Sequence, residues 1–78
     1  MIFKQLSALL AEQFGIDAED ISMETSFEED LRADSLDMVD MSMALEEEFG
    51  VGELTEEDIV GITTVGDLVR FLQGRLDG

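Results

Sequence analysis

Apolar residues recur every three or four positions in three long segments of this chain, which is the spacing of one face of an α-helix. The segments cover residues 2–14, 35–49 and 65–76, and a glycine follows each of the first two. A shorter segment, residues 56–60, has Thr55 before it as a capping residue. No segment alternates apolar and polar residues as a half-buried strand does, and proline is absent. The pattern predicts an all-α fold, a small four-helix bundle of three longer helices and one short helix.

A long irregular first loop, residues 16–33, joins the first two helices. Its apolar residues are isolated among acids, serines and threonines, and we expect five of them to anchor it: Ile16, Ile21, Met23, Phe27 and Leu31. Ser26 and Glu29 have the spacing of a capping box, which predicts one short helical turn. Loops of this length in compact domains usually have a function or are fixed by their own side chains. We expect this one to present the start of the second helix.

The second helix begins with Asp34, Ser35, Leu36 and Asp37. Asp34 is a favoured N-cap residue, and Asp37 adds a second acid near the positive end of the helix dipole. Ser35 then stands at the first helical position, with its hydroxyl directed to solvent, and a helix N-terminus would favour a phosphate ester formed there. A serine beside a cap is also ordinary helix-start chemistry, and these four residues alone leave both interpretations open.

The second helix has two apolar faces, although a surface helix needs only one. The first is expected to lie in the core and comprises Met38, Met41, Leu45 and Phe49. The second comprises Leu36, Val39 and Met43, and it is flanked by Asp40, Glu46 and Glu47. This second face is either further core or a docking patch, and its acidic rim beside Ser35 favours docking. Methionine suits a surface that repacks around different partners.

The last helix begins after Thr64, which has Asp67 three residues later as its capping partner. Its inward face is predicted to comprise Val65, Leu68, Val69, Leu72 and Leu76, with Arg70 and Arg75 directed outward. Asp77 and Gly78 are expected to fray.

Charge and length limit the partners of this chain. Twenty acidic residues against four basic ones give 78 residues a net charge of −16, and Arg32 is the only base between Glu12 and Asp58. Such a field repels nucleic acid and anionic membrane surfaces, so the expected partners are proteins with basic patches. No apolar run approaches the roughly 20 residues of a membrane span. We expect a monomeric cytoplasmic protein formed by one domain, residues 1–78.

Residue types limit the chemistry. Cysteine and histidine are absent, so disulfides and the usual zinc ligands are excluded, and any thiol has to come with a cofactor. Ser35 has no histidine or cysteine partner to activate it, so an external enzyme would have to modify it and no enzymatic activity is expected. Loops starting at Asp17 or Asp30 lack the pattern of a calcium-binding EF-hand. An acidic interaction module with loose divalent-cation binding remains one alternative.

Four stretches carry a family resemblance: FEEDL at 27–31, DSLD at 34–37, MALEEEF at 43–49 and ITTVGD at 62–67. Together they resemble the acyl carrier proteins, most closely the free-standing type of bacterial fatty acid synthesis, over essentially the whole chain. The resemblance implies that Ser35 carries 4′-phosphopantetheine, transferred from coenzyme A by a phosphopantetheinyl transferase, and that the terminal thiol of this arm holds the growing acyl chain as a thioester. It also implies that the acyl chain folds back between the helices.

The resemblance further implies that fatty acid synthesis enzymes and acyltransferases dock on the second helix. Together with the helical spacing, it assigns charged contacts to Asp34, Asp37, Asp40, Glu46 and Glu47, and apolar contacts to Leu36, Val39 and Met43.

Three features depart from the family pattern. Arg32 stands where the family commonly has glycine, and it either pairs with Asp30 or disturbs recognition by the transferase. Ser42 replaces a usual aliphatic residue, which bears on the size and polarity of the acyl pocket. The connection at residues 50–54 lacks the proline often found just after it. These departures leave a specialised carrier of polyketide, peptide or cell-wall amino-acid intermediates as the second interpretation.

Overall fold

The computed structural model describes residues 2–77, and within that range the chain forms four α-helices. Their bounds are Ile2–Phe14 for α1, Ser35–Phe49 for α2, Glu56–Val60 for α3 and Val65–Asp77 for α4. Strand pairing in the same range is limited to one isolated antiparallel bridge between Ser26 and Thr64. The predicted all-α fold with a long first loop is confirmed. A 3-10 turn at Ala18–Asp20 lies in that loop and was not predicted.

Glycines end the two helices that precede long connections. Gly15 has a φ of 68°, and the amide of Ile16 donates to the carbonyl of Ala11 at 3.0 Å. Gly50 has a φ of 63° and donates its amide to the carbonyl of Glu46. Both glycines adopt the left-handed conformation, which lets the chain turn out of the helix and donate hydrogen bonds to the carbonyls of its last turn.

The core lies between the three longer helices and the loop segments that cross them. Its buried apolar residues are Leu6, Leu10, Ile21, Phe27, Met41, Leu45, Leu54, Ile62, Val65, Leu68 and Leu72. On α2, the first predicted face is confirmed: Met41 and Leu45 are buried, while Met38 and Phe49 are half-buried against the core. Fully burying a leucine contributes about 1.5–3 kcal/mol. Among residues 2–77, no helix has the length and apolar character to span a bilayer.

Met23, which was predicted to anchor the first loop, and Leu76, which was predicted to lie on the inward face of α4, are both exposed. The side chain of Met23 is 41% exposed, and Leu76 is 47% exposed. Leu76 lies one turn beyond Leu72, the last buried residue of α4, so the helix continues past the core while the apolar pattern continues with it. Asp77 is still helical and accepts a hydrogen bond from Gln73 at 3.0 Å, so the predicted fraying does not begin there, and Gly78 lies outside the described residues.

Backbone hydrogen bonds, in addition to side chains, fix the long loop against the start of α4. Three of them run from the amide of Phe27 to the carbonyl of Thr63 at 3.1 Å, from the amide of Val65 to the carbonyl of Thr25 at 2.9 Å, and from the amide of Gly66 to the carbonyl of Met23 at 2.8 Å. The last two satisfy first-turn amides of α4 that have no acceptor within the helix. Met23 therefore anchors the loop through its carbonyl.

The capping pair predicted inside the loop is only half correct. The amide of Glu29 donates to the hydroxyl of Ser26 at 3.1 Å, as expected. The carboxylate that accepts from the Ser26 amide belongs to Asp30, at 2.7 Å, and not to Glu29. Residues 27–30 form a hydrogen-bonded turn and not a helix. This turn leads the chain to the start of α2.

Candidate functional site

The start of α2 is fixed by a reciprocal pair of aspartates. Asp34 has an extended backbone, and its carboxylate accepts from the Asp37 amide at 2.9 Å. The Asp37 carboxylate in turn accepts from the Asp34 amide at 3.2 Å. This capping box satisfies two backbone donors and holds Ser35 at the first helical position. The geometry predicted for Asp34 and Asp37 is confirmed.

Ser35 differs from the other serines of the chain in its hydrogen bonding. The hydroxyls of Ser7 and Ser42 donate to the carbonyls of Lys4 and Val39, at 3.0 and 2.7 Å. Those of Ser22 and Ser26 pair with Thr25 and with the amide of Glu29. Ser35 is exposed, and among residues 2–77 its hydroxyl has no hydrogen-bond partner. Its oxygen is therefore accessible to a reagent from outside.

The second apolar face of α2 is exposed, as the docking interpretation requires. Leu36 is 74% exposed, Val39 43% and Met43 54%. Asp40 and Glu47 are exposed beside this face, and Glu46 is half-buried. α2 therefore carries three apolar side chains and an acidic rim into solvent directly after Ser35.

An open groove of roughly 730 Å³ lies between α2 and α3, beside Ser35. Met38 and Val39 line it from α2, while Ile59 and Val60 line it from α3. The rest of the lining comes from Phe27, Glu28, Ala33, Asp34, Ser35, Glu56, Ile62 and Thr63. The lining is mainly apolar, so the groove suits an apolar chain. No sequence pattern indicates this groove, because its two walls are about twenty residues apart in the chain.

Arg32 turns the chain immediately before this site. Its φ is 54°, in the left-handed region, where it is the sole non-glycine residue among residues 2–77. Glycine adopts this conformation without steric cost, which is a physical reason for glycine at this position. The ion pair between Arg32 and Asp30, one of the two predicted alternatives, does not form. In the described chain the ion pairs are Arg70 with Asp67 and Arg75 with Asp58. The Asp30 carboxylate instead accepts a hydrogen bond from the amide of Ser26.

Ser42, the second departure, is buried with its hydroxyl satisfied within α2. It is 4% exposed and donates to the carbonyl of Val39 at 2.7 Å. It does not line the groove. Its hydroxyl therefore adds no unpaired polar group to the interior.

Two acidic groups have pKa values shifted by hydrogen bonds. The amide and the hydroxyl of Thr55, followed by the Arg75 guanidinium, hold the pKa of Asp58 below its ordinary 3.8. The amides of Thr64 and Thr63, with Arg70, lower the pKa of Asp67 in the same way. Both carboxylates are the partners of helix caps, so these shifts reflect helix starts and not acid–base chemistry. In the described part of the chain, no cluster of three acidic side chains is arranged to hold a metal ion.

Comparisons with known proteins agree with this geometry. A family model described as a phosphopantetheine attachment site matches residues 4–72. The chain is also 44% identical over 77 residues to a Clostridium acetobutylicum protein named acyl carrier protein, and the match covers 99% of each chain. The family match includes Ser35 and both walls of the groove.

Proposed function

Because the chain belongs to the acyl carrier proteins, we propose that Ser35 is the residue that carries its 4′-phosphopantetheine. The observation that supports this most is the Ser35 hydroxyl, exposed at the start of α2 without a hydrogen-bond partner among residues 2–77. The helix start also favours the negative charge of a phosphodiester at this position. When attached, the arm supplies a terminal thiol that holds acyl groups as thioesters. The protein is thus a carrier in fatty acid synthesis and not an enzyme.

The groove beside Ser35 is the proposed site for the acyl chain. Ile59 and Val60 face Met38 and Val39 across it, and these side chains would remove an alkyl chain from water. Each methylene buried there would contribute about 0.8 kcal/mol. The groove is open, so a chain bound there could leave it when a partner enzyme approaches.

The exposed face of α2 is the proposed docking surface. An acyl carrier interacts with a phosphopantetheinyl transferase and with the enzymes of fatty acid synthesis. We propose that basic patches on these partners meet Asp34, Asp37, Asp40, Glu46 and Glu47, and that Leu36, Val39 and Met43 make the apolar contacts. Opposite charges on the two proteins would accelerate their encounter, while the apolar side chains would slow dissociation.

The remaining features of the proposal follow from charge and size. With a net charge of −16, two copies repel one another, as do the chain and nucleic acid or an anionic membrane. We propose that residues 1–78 act as one carrier domain, monomeric and cytoplasmic, without insertion into a membrane.

The attachment site is tested by mass. The apo-protein is incubated with coenzyme A and a broad-specificity phosphopantetheinyl transferase, beside Ser35→Ala and the matched variant Ser22→Ala. We expect the original chain and Ser22→Ala to gain one phosphopantetheine unit and Ser35→Ala to gain none. A gain in Ser35→Ala, or none in the original chain under conditions that convert another carrier, would refute the assignment.

The docking surface is tested by the rate of the same reaction. Asp40→Lys with Glu47→Lys reverses two exposed charges of the rim without touching the Asp34–Asp37 caps. We expect loading at low salt to slow by about tenfold, with a smaller difference at high salt. Glu53→Lys with Glu57→Lys changes the net charge equally away from the face. Equal rates for the two double variants would mean that net charge, and not this face, controls docking.

A further inference from the structure

The short helix α3 forms one wall of the groove without contributing a buried residue of its own. None of Glu56–Val60 is buried, although Ile59 and Val60 line the groove. The residues that enter the core are Leu54 before α3 and Ile62 after it, 7% and 8% exposed. Burial therefore fixes the two ends of this segment, and the position of the helix between them depends on other contacts.

Arg75 provides such a contact from the last turn of α4. Its guanidinium donates to the Asp58 carboxylate at 3.0 Å and to the carbonyl of Val51 at 3.5 Å. It also lies over the ring of Phe71, 4.8 Å from the centroid, where a cation is attracted by the aromatic face. One side chain thus links three segments: α4, α3, and the loop that follows α2.

The contact meets α3 at the residue that organises its first turn. The Asp58 carboxylate also accepts from the amide and the hydroxyl of Thr55, at 3.1 and 3.0 Å, and so closes the capping box of α3. Because α3 has five residues, a displacement of Asp58 moves Ile59 and Val60 with it. The side chains of Arg75 and Asp58 are 38% and 25% exposed, so solvent screens this pair less than a fully exposed one.

We propose that Arg75 is a positioning residue for the groove beside Ser35, which holds α3 against α4 and so keeps the α3 wall close to the α2 wall. This rests on the proposed function, since the groove matters only when Ser35 carries an acyl chain. Arg75 does not line the groove and acts through Asp58. The acyl thioester would be more shielded with Arg75 in place than without it.

Hydrogen exchange of the apo-protein tests the contact without any loading. Arg75→Gln removes the ion pair, and Arg70→Gln is the matched control, because it removes the other arginine of α4 and breaks the pair with Asp67, which does not involve α3. From the contribution that partly exposed ion pairs make to stability, we expect the loss of this pair to change amide exchange rates by about two- to fivefold. We expect Arg75→Gln to accelerate exchange at Ile59 and Ile62 by about that factor, while amides in the middle of α1 and α2 keep their rates. Arg70→Gln should leave Ile59 and Ile62 unchanged.

Three results would overturn the proposal at this stage. They are unchanged exchange at Ile59 and Ile62 in Arg75→Gln, equal acceleration in Arg70→Gln, or acceleration in all helices alike, which would show a general loss of stability.

Asp58→Asn provides a second check, since Asp58→Asn and Arg75→Gln act on the same contact. We expect Arg75→Gln to add little acceleration in the Asp58→Asn background, and full additivity would also contradict the proposal.

The loaded protein tests the consequence. An eight-carbon acyl group is placed on the holo-protein and exposed to hydroxylamine, which takes the acyl group from sulfur to nitrogen and leaves the free thiol. We expect Arg75→Gln to react two- to fivefold faster than the original chain and Arg70→Gln, with Arg75→Lys intermediate because it keeps the charge. Equal rates in all four proteins would refute the role of Arg75 toward the groove. If the original chain gained no phosphopantetheine under conditions that convert another carrier, the proposed attachment at Ser35 would be refuted instead, and the exchange result would stand apart from it.

Discussion

The starts of α2 and α4 use the same capping device in opposite surroundings. Each has an oxygen side chain at the N-cap and an aspartate three residues later: Asp34 with Asp37 in α2, and Thr64 with Asp67 in α4. In both, the aspartate amide donates to the cap side chain and the cap amide donates back to the aspartate. The local sequence therefore specifies both starts equally well.

The two helix starts differ in what packs against the first turn. In α4, Val65 and Gly66 are buried, and their amides donate to the carbonyls of Thr25 and Met23 in the first loop. In α2, Ser35 and Leu36 occupy the same two positions and are exposed. A helix start is accessible to an incoming phosphate only where other backbone does not already occupy its amides. By this criterion the α2 start is open to modification and the α4 start is closed.

The largest effect expected from this comparison concerns the second helical position. A Cβ added at Gly66 would lie 2.9 Å from the backbone carbonyl oxygen of Met23, so Gly66→Ala has to displace the loop. We expect a loss of about 1–3 kcal/mol in the free energy of unfolding, although alanine favours a helix over glycine by about 1 kcal/mol. Leu36→Ala, at the same position of α2, should stay within about 0.5 kcal/mol. Urea denaturation measures both, and an unchanged Gly66→Ala would mean that the loop does not close the α4 start.

The features that sequence could predict are those coded within one or two turns. The bounds of α2 follow from Asp34 and Gly50, and the exposed face follows from the spacing of Leu36, Val39 and Met43. The observed ends of α2 confirm the first prediction, and the exposure of these three side chains confirms the second. Both could be predicted because caps and helical periodicity act between residues three or four positions apart.

The features that sequence missed depend on distant segments. The groove needs α2 and α3 together, the closing of the α4 start is made by carbonyls that carry no side-chain signal, and Arg75 meets Asp58 seventeen positions earlier. Met23 was predicted to anchor the loop and Leu76 to lie on the inward face of α4 because both are apolar, yet both side chains are exposed. Apolar identity does not show where the core ends, since much of a folded surface is apolar.

A second test of the comparison uses Asp67, the acid of the capping box at the start of α4. Because hydrogen bonds lower the pKa of Asp67 below 3.8 in the folded state, its contribution to stability is present above that pH and is lost as pH falls through the lowered value. We expect Asp67→Asn to lower the melting temperature at pH 6 and the difference from the original chain to shrink below about pH 4. Glu53→Gln removes the same charge from an exposed acid and corrects for reduced repulsion. A difference that does not depend on pH would mean that the Asp67 charge is not what stabilises this start.

The smallest expected effect concerns how the chain enters the open start. Arg32 holds a left-handed φ of 54° two residues before the Asp34 cap, at a cost of about 1–2 kcal/mol for a residue with a Cβ. Glycine avoids that cost but loses about 0.5–1 kcal/mol more in chain entropy on folding. The balance predicts that Arg32→Gly raises the free energy of unfolding by a few tenths to about 1 kcal/mol. Arg32→Ala removes the same charge and keeps the Cβ, so it should not show this gain in urea denaturation. Equal gains in both variants would trace the effect to the arginine side chain, and the strained backbone would then have no part in how α2 is presented.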